Sequence, residues 1–189
     1  MLAGGGVVAL PTETVYGLAA DASNPSALQR VNRLKGKADG SPILLLLADR
    51  RQAEQLCDDL PASFAPLVER FWPGPLTLVV RAAERVPREI TGGRGTLALR
   101  VSGLALPRRL AAGLGRPISG VSANVTGHPP CRTAGEVARA FPRGLEMILD
   151  GGPTPGGLPS TILDLGRTPP QVLREGLLPR AALRPFLEE

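Results

Sequence analysis

Lys35 and Lys37 are the only lysines in a chain that carries twenty arginines. They flank Gly36, just ahead of an apolar run at residues 43–47. Lysine offers a compact, strongly hydrated ammonium on a flexible stem, whereas arginine is a fixed planar fork. Two such ammoniums beside a glycine suit a phosphate or another small anion. They equally suit the C-terminus of a helix, where cations complement the dipole. The neighbouring segments tip the balance toward an anion.

Four other polar clusters sit at strand ends or in the loops after strands, where ligands bind in open α/β sheets. Pro-Thr-Glu-Thr-Val-Tyr-Gly-Leu at 11–18 packs two hydroxyls, a carboxylate and the only tyrosine into one turn. It reads either as a binding loop or as a turn that caps the first strand. Residues 71–77 hold the only tryptophan between a phenylalanine and Pro-Gly-Pro, and a structural turn is the reading they favour. Arg100 stands in a strand-like run at 96–101. Facing inward it would need a carboxylate partner, from protein or substrate; facing outward it would sit on an edge strand. Ser122-Ala123-Asn124 follows a short apolar run and can meet a nucleotide, or form ordinary Asx and Ser turns. Ser41, Thr96, Ser160 and Arg174 belong with these clusters.

Several chemistries are excluded. There is no G-x-x-x-x-G-K-[ST] loop, no G-x-G-x-x-G after the first strand and no serine nucleophile elbow. One histidine, His128, and two distant cysteines, Cys57 and Cys131, make no metal cluster. No protein metal site is expected; magnesium would arrive with a nucleotide and keep several waters. A net charge of +5 favours an anionic partner. Aromatic content of 3% leaves few platforms for stacking bases. No run approaches a membrane span, and nothing at the N-terminus resembles a signal segment, so a cytoplasmic protein is expected.

The elements that must position these residues alternate along the chain. Strands are predicted at 7–10, 43–47, 76–80, 97–101, 118–121, 147–149, 161–163 and 172–173. Helices are predicted from Asn24 as cap with Pro25 in the first turn, from Asp49 through Leu56, over 63–71, over 104–114, and from a Thr133/Glu136 capping box to Ala140. The sum is an α/β fold, a mixed sheet flanked by helices, in one domain over 1–189. The Gly/Pro stretch at 151–159 is too short to divide domains and reads as an ordered loop bordering a site, or as a mobile one.

Taken in order, the motifs at 11–18, 35–37, 73–77, 99–101, 122–124 and 159–164 resemble the YrdC family, the single-domain threonylcarbamoyl-AMP synthases. The resemblance implies a twisted sheet around a large, positively charged concave site. It implies that L-threonine, bicarbonate and ATP react to give threonylcarbamoyl-adenylate and pyrophosphate. Transferase partner proteins then carry the threonylcarbamoyl group to tRNA. By this carry-over Thr14, Arg100 and Ser160 hold threonine. Lys37, Ser41, Thr96, Ser122, Asn124 and Arg174 line the ATP side, and Lys35 and Lys37 offset phosphate charge as catalytic residues.

Three positions depart from the family pattern. Lys37 stands where an arginine is usual, Leu46 where many members have a histidine, and Pro130 where a serine is frequent. The resemblance also implies that the helix before the first strand is shortened, and that the further C-terminal domain of longer relatives is missing. Two alternatives stay open: a non-catalytic RNA-binding module meeting tRNA or ribosomal RNA, and a divergent paralogue acting on another carbamoyl or nucleotide substrate.

Overall fold

The computed structural model describes residues 1–38 and 40–187. Ten strands run in chain order: β1 (Val8–Leu10), β2 (Gly17–Ala19), β3 (Leu44–Leu46), β4 (Leu76–Arg81), β5 (Thr96–Arg100), β6 (Ile118–Ser119), β7 (Val121–Ser122), β8 (Met147–Ile148), β9 (Thr161–Asp164) and β10 (Gln171–Arg174). They form two mixed sheets, one in the order β7-β2-β1-β8 and one in the order β10-β9-β4-β5-β3-β6. Helices α1 (Pro25–Leu34), α2 (Arg50–Leu56), α3 (Phe64–Phe71), α4 (Arg88–Thr91), α5 (Ala105–Leu114), α6 (Ala134–Ala140) and α7 (Arg180–Leu183) complete the α/β architecture. No helix among the described residues is long and apolar enough to cross a membrane.

Strand β3 shows why its sequence has no polar alternation. Successive strand residues face opposite sides. Leu45 and Leu47 enter the larger hydrophobic core, while Leu46 enters a second one beneath α5. Leu106, Leu110 and Leu114 close that second core.

Helix α1 begins as its sequence predicts. Asn24 caps it, its side chain accepting from the Ala27 N–H at 3.1 Å, and Pro25 occupies the first turn. Its end is set by Gly36, with φ +65°. The Gly36 N–H donates to the Arg33 carbonyl and the Lys37 N–H to the Asn32 carbonyl. This paired closure of the last carbonyls needs a left-handed residue, and glycine adopts that conformation without strain.

The apolar run at 118–121 was expected to be one strand. It is two, because the chain changes sheet at Gly120: β6 pairs with β3, and β7 pairs with β2. A Cβ at Gly120 would lie 2.3 Å from Leu46 Cγ, so only glycine lets the crossing pass over β3. The predicted Thr133 cap is present, accepting from the Glu136 N–H at 3.1 Å. The Glu136 carboxylate reaches back to the Arg132 N–H, one residue earlier than the usual box. Trp72 is structural: it is buried, stacks edge-on with Phe64 and donates from Nε1 to the Leu76 carbonyl at 2.7 Å.

Gly176 marks another close approach. A Cβ there would fall 2.2 Å from the Pro159 carbonyl oxygen and 2.7 Å from the Ser160 carbonyl carbon. Both are backbone atoms and cannot yield cheaply. Gly176→Ala should therefore lower stability by about 1–3 kcal/mol, read from urea midpoints at constant m-value.

Candidate functional site

A cavity of about 230 Å³ opens between the two sheets. Its wall draws on the turn before β2 (Thr12, Thr14, Val15, Tyr16), the end of α1 (Lys35, Lys37), β5 (Ala98, Arg100), the Gly120 crossing with Ser122, and Ser160 and Arg174. Four cations from distant parts of the chain thus converge on one space, interleaved with hydroxyls. Thr14, Arg100, Ser160, Lys35, Lys37, Ser122 and Arg174, singled out from sequence, all line it.

Three sequence candidates stand off the wall. Asn124 lies behind it, with its side-chain oxygen accepting from Lys35 Nζ at 3.1 Å and from Ser122 Oγ at 2.6 Å. Thr96 shares a face of β5 with Ala98 and Arg100 but sits at the far end of the strand. Ser41 closes a local turn, its hydroxyl donating to the Ala38 carbonyl at 2.9 Å. Of the departures, Leu46 is fully buried in the second core, and Pro130 is partly exposed beside Cys131.

The hydroxyls of the first turn are ordered by proton direction. Thr12 Oγ1 donates to the Val15 carbonyl at 2.8 Å and accepts from the Thr14 N–H at 3.1 Å. Its one proton being used, the 2.8 Å contact between the two hydroxyls makes Thr14 the donor. Thr14 Oγ1 then has lone pairs free and accepts from Arg100 Nη1 at 3.2 Å. On the opposite wall, Arg174 donates from Nε and Nη2 to the Ser160 carbonyl at 3.1 and 2.8 Å, and Ser160 Oγ pairs with Thr77 Oγ1 at 2.8 Å.

Arg100 faces inward and is 3% exposed. Burial lowers its pKa, with Glu13 opposing that shift and Arg174 adding to it. The carboxylate that sequence reasoning required is Glu13, whose Oε1 lies 3.8 Å from Arg100 Nε. Glu13 was visible in its motif, but its partner lies in another strand, and no local pattern joins the two. Thr77, which pairs with Ser160 across 83 residues of chain, was missed for the same reason, whereas Thr12 stands two residues from Thr14 in the motif already singled out.

The two lysines have different surroundings. Lys35 is 4% exposed, and its ammonium reaches the Ser122 carbonyl, the Asn124 carbonyl at 2.9 Å, Asn124 Oδ1 and, at 3.4 Å, Ser122 Oγ. Its own carbonyl accepts from the Thr126 N–H at 2.9 Å and the Thr126 hydroxyl at 2.7 Å. Lys35 therefore staples the loop after β7 at both ends. Burial first, and the Lys37 ammonium second, push its pKa down to about 8. Lys37 is half-buried at the cavity wall.

The Gly/Pro stretch is an ordered border of the site. The Gly156 and Gly157 N–H groups donate to the Glu13 and Thr14 carbonyls. Tyr16 OH donates to the Gly152 carbonyl at 2.9 Å. Among the described residues, no group of three or more His, Cys, Asp or Glu side chains could hold a metal ion.

Comparison with known proteins bears on the family and the fold. Residues 1–176 match the model of the Sua5/YciO/YrdC family, whose description reads telomere recombination. The chain is 42% identical over 185 residues to a threonylcarbamoyl-AMP synthase of Pyrococcus abyssi, covering 98% of this chain and 54% of that one. It is 41% identical to a threonylcarbamoyl-AMP synthase of Thiobacillus denitrificans, with 85% of each covered. The crystal structure of Pyrococcus abyssi Sua5 complexed with L-threonine superposes with a TM-score of 0.95 at 41% identity, over all of this chain and 55% of that one. This chain therefore spans about half of the archaeal relative and most of the bacterial one. On this evidence the chain belongs to the Sua5/YciO/YrdC family.

Proposed function

We propose that the chain is a threonylcarbamoyl-AMP synthase, a nucleotidyltransferase that joins L-threonine, bicarbonate and ATP. The observation that carries this reading is the convergence of Lys35, Lys37, Arg100 and Arg174 on one cavity lined with hydroxyls. All three substrates are anions or carry an anionic group, and no side-chain nucleophile is needed to join them. Holding them together and offsetting their charge is the main task.

In this reading the threonine carboxylate meets Arg100 as a fork, and Thr14 and Ser160 orient the rest of the amino acid. The threonine amine attacks the bicarbonate carbon, a C–N bond forms, and water leaves. An oxygen of the resulting carbamate attacks the α-phosphorus of ATP, and the bond to the β-phosphate breaks, releasing pyrophosphate. Lys37 and Arg174, both on the cavity wall, would offset the phosphate charge, while Ser122 and Asn124, with Ser41 and Thr96 farther out, would form the nucleotide side. ATP would bring magnesium with it, held by phosphate oxygens and waters, since this wall offers cations and hydroxyls rather than carboxylate ligands. The product would pass to transferase proteins that modify tRNA, which sets the activity in the cytoplasm.

The test is pyrophosphate release by purified protein with ATP and magnesium. Release that requires both threonine and bicarbonate is expected. Release without either, or salt-sensitive RNA binding with no turnover, would replace this reading with the paralogue or the RNA-binding module. Lys37→Arg restores the fork usual in the family, so it should keep kcat and lower the KM for ATP. A loss of activity in steady-state kinetics would remove Lys37 from the phosphate side.

A further inference from the structure

Glu13 and Arg100 form an unusual pair. Glu13 Oε1 and Arg100 Nε are both buried, and neither has a hydrogen-bond partner. They lie 3.8 Å apart, close enough for charge compensation and too far for a hydrogen bond. A buried ion pair normally closes to a forked contact, which uses two guanidinium donors. This one is held open by its surroundings. Glu13 Oε2 accepts from the Ser102 hydroxyl, and the Glu13 carbonyl accepts from the Gly156 N–H at 3.1 Å. Gly103 lies against the side chain so closely that a Cβ there would come within 3.2 Å of Glu13 Cγ. Ser102 and Gly103 lie two and three residues beyond Arg100, the last residue of β5, so the segment that carries Arg100 also fixes the carboxylate behind it. Glu13 does not line the cavity; Arg100 does.

We propose that Glu13 is a positioning residue, which holds the Arg100 guanidinium in place without occupying the edge that receives the carboxylate of the amino-acid substrate. The substrate half of this inference rests on the synthase reading; the positioning half rests on the geometry alone. A closed salt bridge would bury Arg100 as well but would compete with the incoming carboxylate. No counter-charge at all would leave a buried cation free to swing toward solvent or toward the phosphates. An offset carboxylate avoids both.

Glu13→Gln tests this, because it keeps side-chain length and an acceptor for Ser102 while removing the charge. The KM for L-threonine should rise about tenfold or more, with kcat and the KM for ATP within about twofold. The buried Arg100 Nε–H should give a slowly exchanging signal in nitrogen-15 spectra of the unaltered protein, and that signal should broaden or vanish in the variant with no substrate present. Equal rises in both KM values would mean general structural damage and overturn the proposal, as would an unchanged threonine KM with an unchanged Arg100 signal. If Glu13→Gln does not fold, Ser102→Ala frees the same carboxylate and should raise the threonine KM alone; no change there overturns the proposal. If the unaltered protein shows no threonine-dependent release, the synthase reading fails, and the Arg100 signal still decides the positioning.

Discussion

Arg100→Met should lower threonine-dependent pyrophosphate release by about a hundred- to a thousandfold, the scale seen when a single charge-stabilising donor is removed from a site. It should also cost about 3–5 kcal/mol of stability, the range for removing one partner of a buried pair. The second effect follows from Glu13, whose Oε1 has Arg100 as its only facing cation among the described ion pairs and is itself buried. Arg100→Lys separates the two effects. The charge stays, so most of the stability should return in urea titrations. The fork is lost, so the threonine KM should remain high. An Arg100→Met protein that turned over threonine normally would remove Arg100 from the site.

Lys35→Met should nearly abolish turnover for a different reason. Methionine matches the lysine stem and has no donor. The part-buried carbonyls of Ser122 and Asn124 would then lose their partner, at up to about 1–3 kcal/mol for each. Hydrogen exchange at residues 122–126 should accelerate before the rest of the protein is affected. Lys35→Arg distinguishes a staple from a phosphate contact. An arginine would serve a phosphate at least as well, but its planar head does not fit a 4% exposed socket shaped for an ammonium. Activity restored by arginine would show that the staple matters little.

Titration of Lys35 has a defined sign. Its pKa is about 8 in the fold against an ordinary 10.5, so the unfolded chain binds the proton more tightly between those values. Its linkage therefore makes the fold more stable as pH rises through that window. Below about pH 8 the ammonium keeps all three donors. Above it the staple loses one, and any fall in turnover from this cause would come without unfolding.

Local chemistry made much of this fold readable. Asn24 with Pro25, Asp49, and Thr133 with Glu136 announce helix starts in a few adjacent residues, and β3 announces burial on both faces by having no polar residue. What stayed hidden depends on partners far along the chain. Strand β2 is Gly-Leu-Ala, with no β-branched residue, and exists because β1 and β7 flank it. The split of the 118–121 run depends on Leu46 lying under Gly120. Helices α4 and α7 are single turns with too few residues for a period to show. The same division holds at the site. The polar motifs stood out by composition, and the fold brings seven of the named residues to one wall. The carboxylate behind Arg100 and the hydroxyl behind Ser160 are contacts across the fold, and no spacing in the sequence encodes them.

The scarcity of lysine gives the protein a built-in chemical label. Apart from the terminal amine of Met1, its only primary amines are Lys35 and Lys37, and both line one cavity. Once the exposed Met1 amine is blocked, an amine-directed acylating reagent is a cavity-directed reagent. Lys37 is the accessible target and Lys35 the sheltered one. A lysine-specific protease likewise has just two cleavage points, both at the end of α1. A single nick, or a mass increment beyond the one at Met1, therefore reports directly on whether that cavity is open, filled or collapsed.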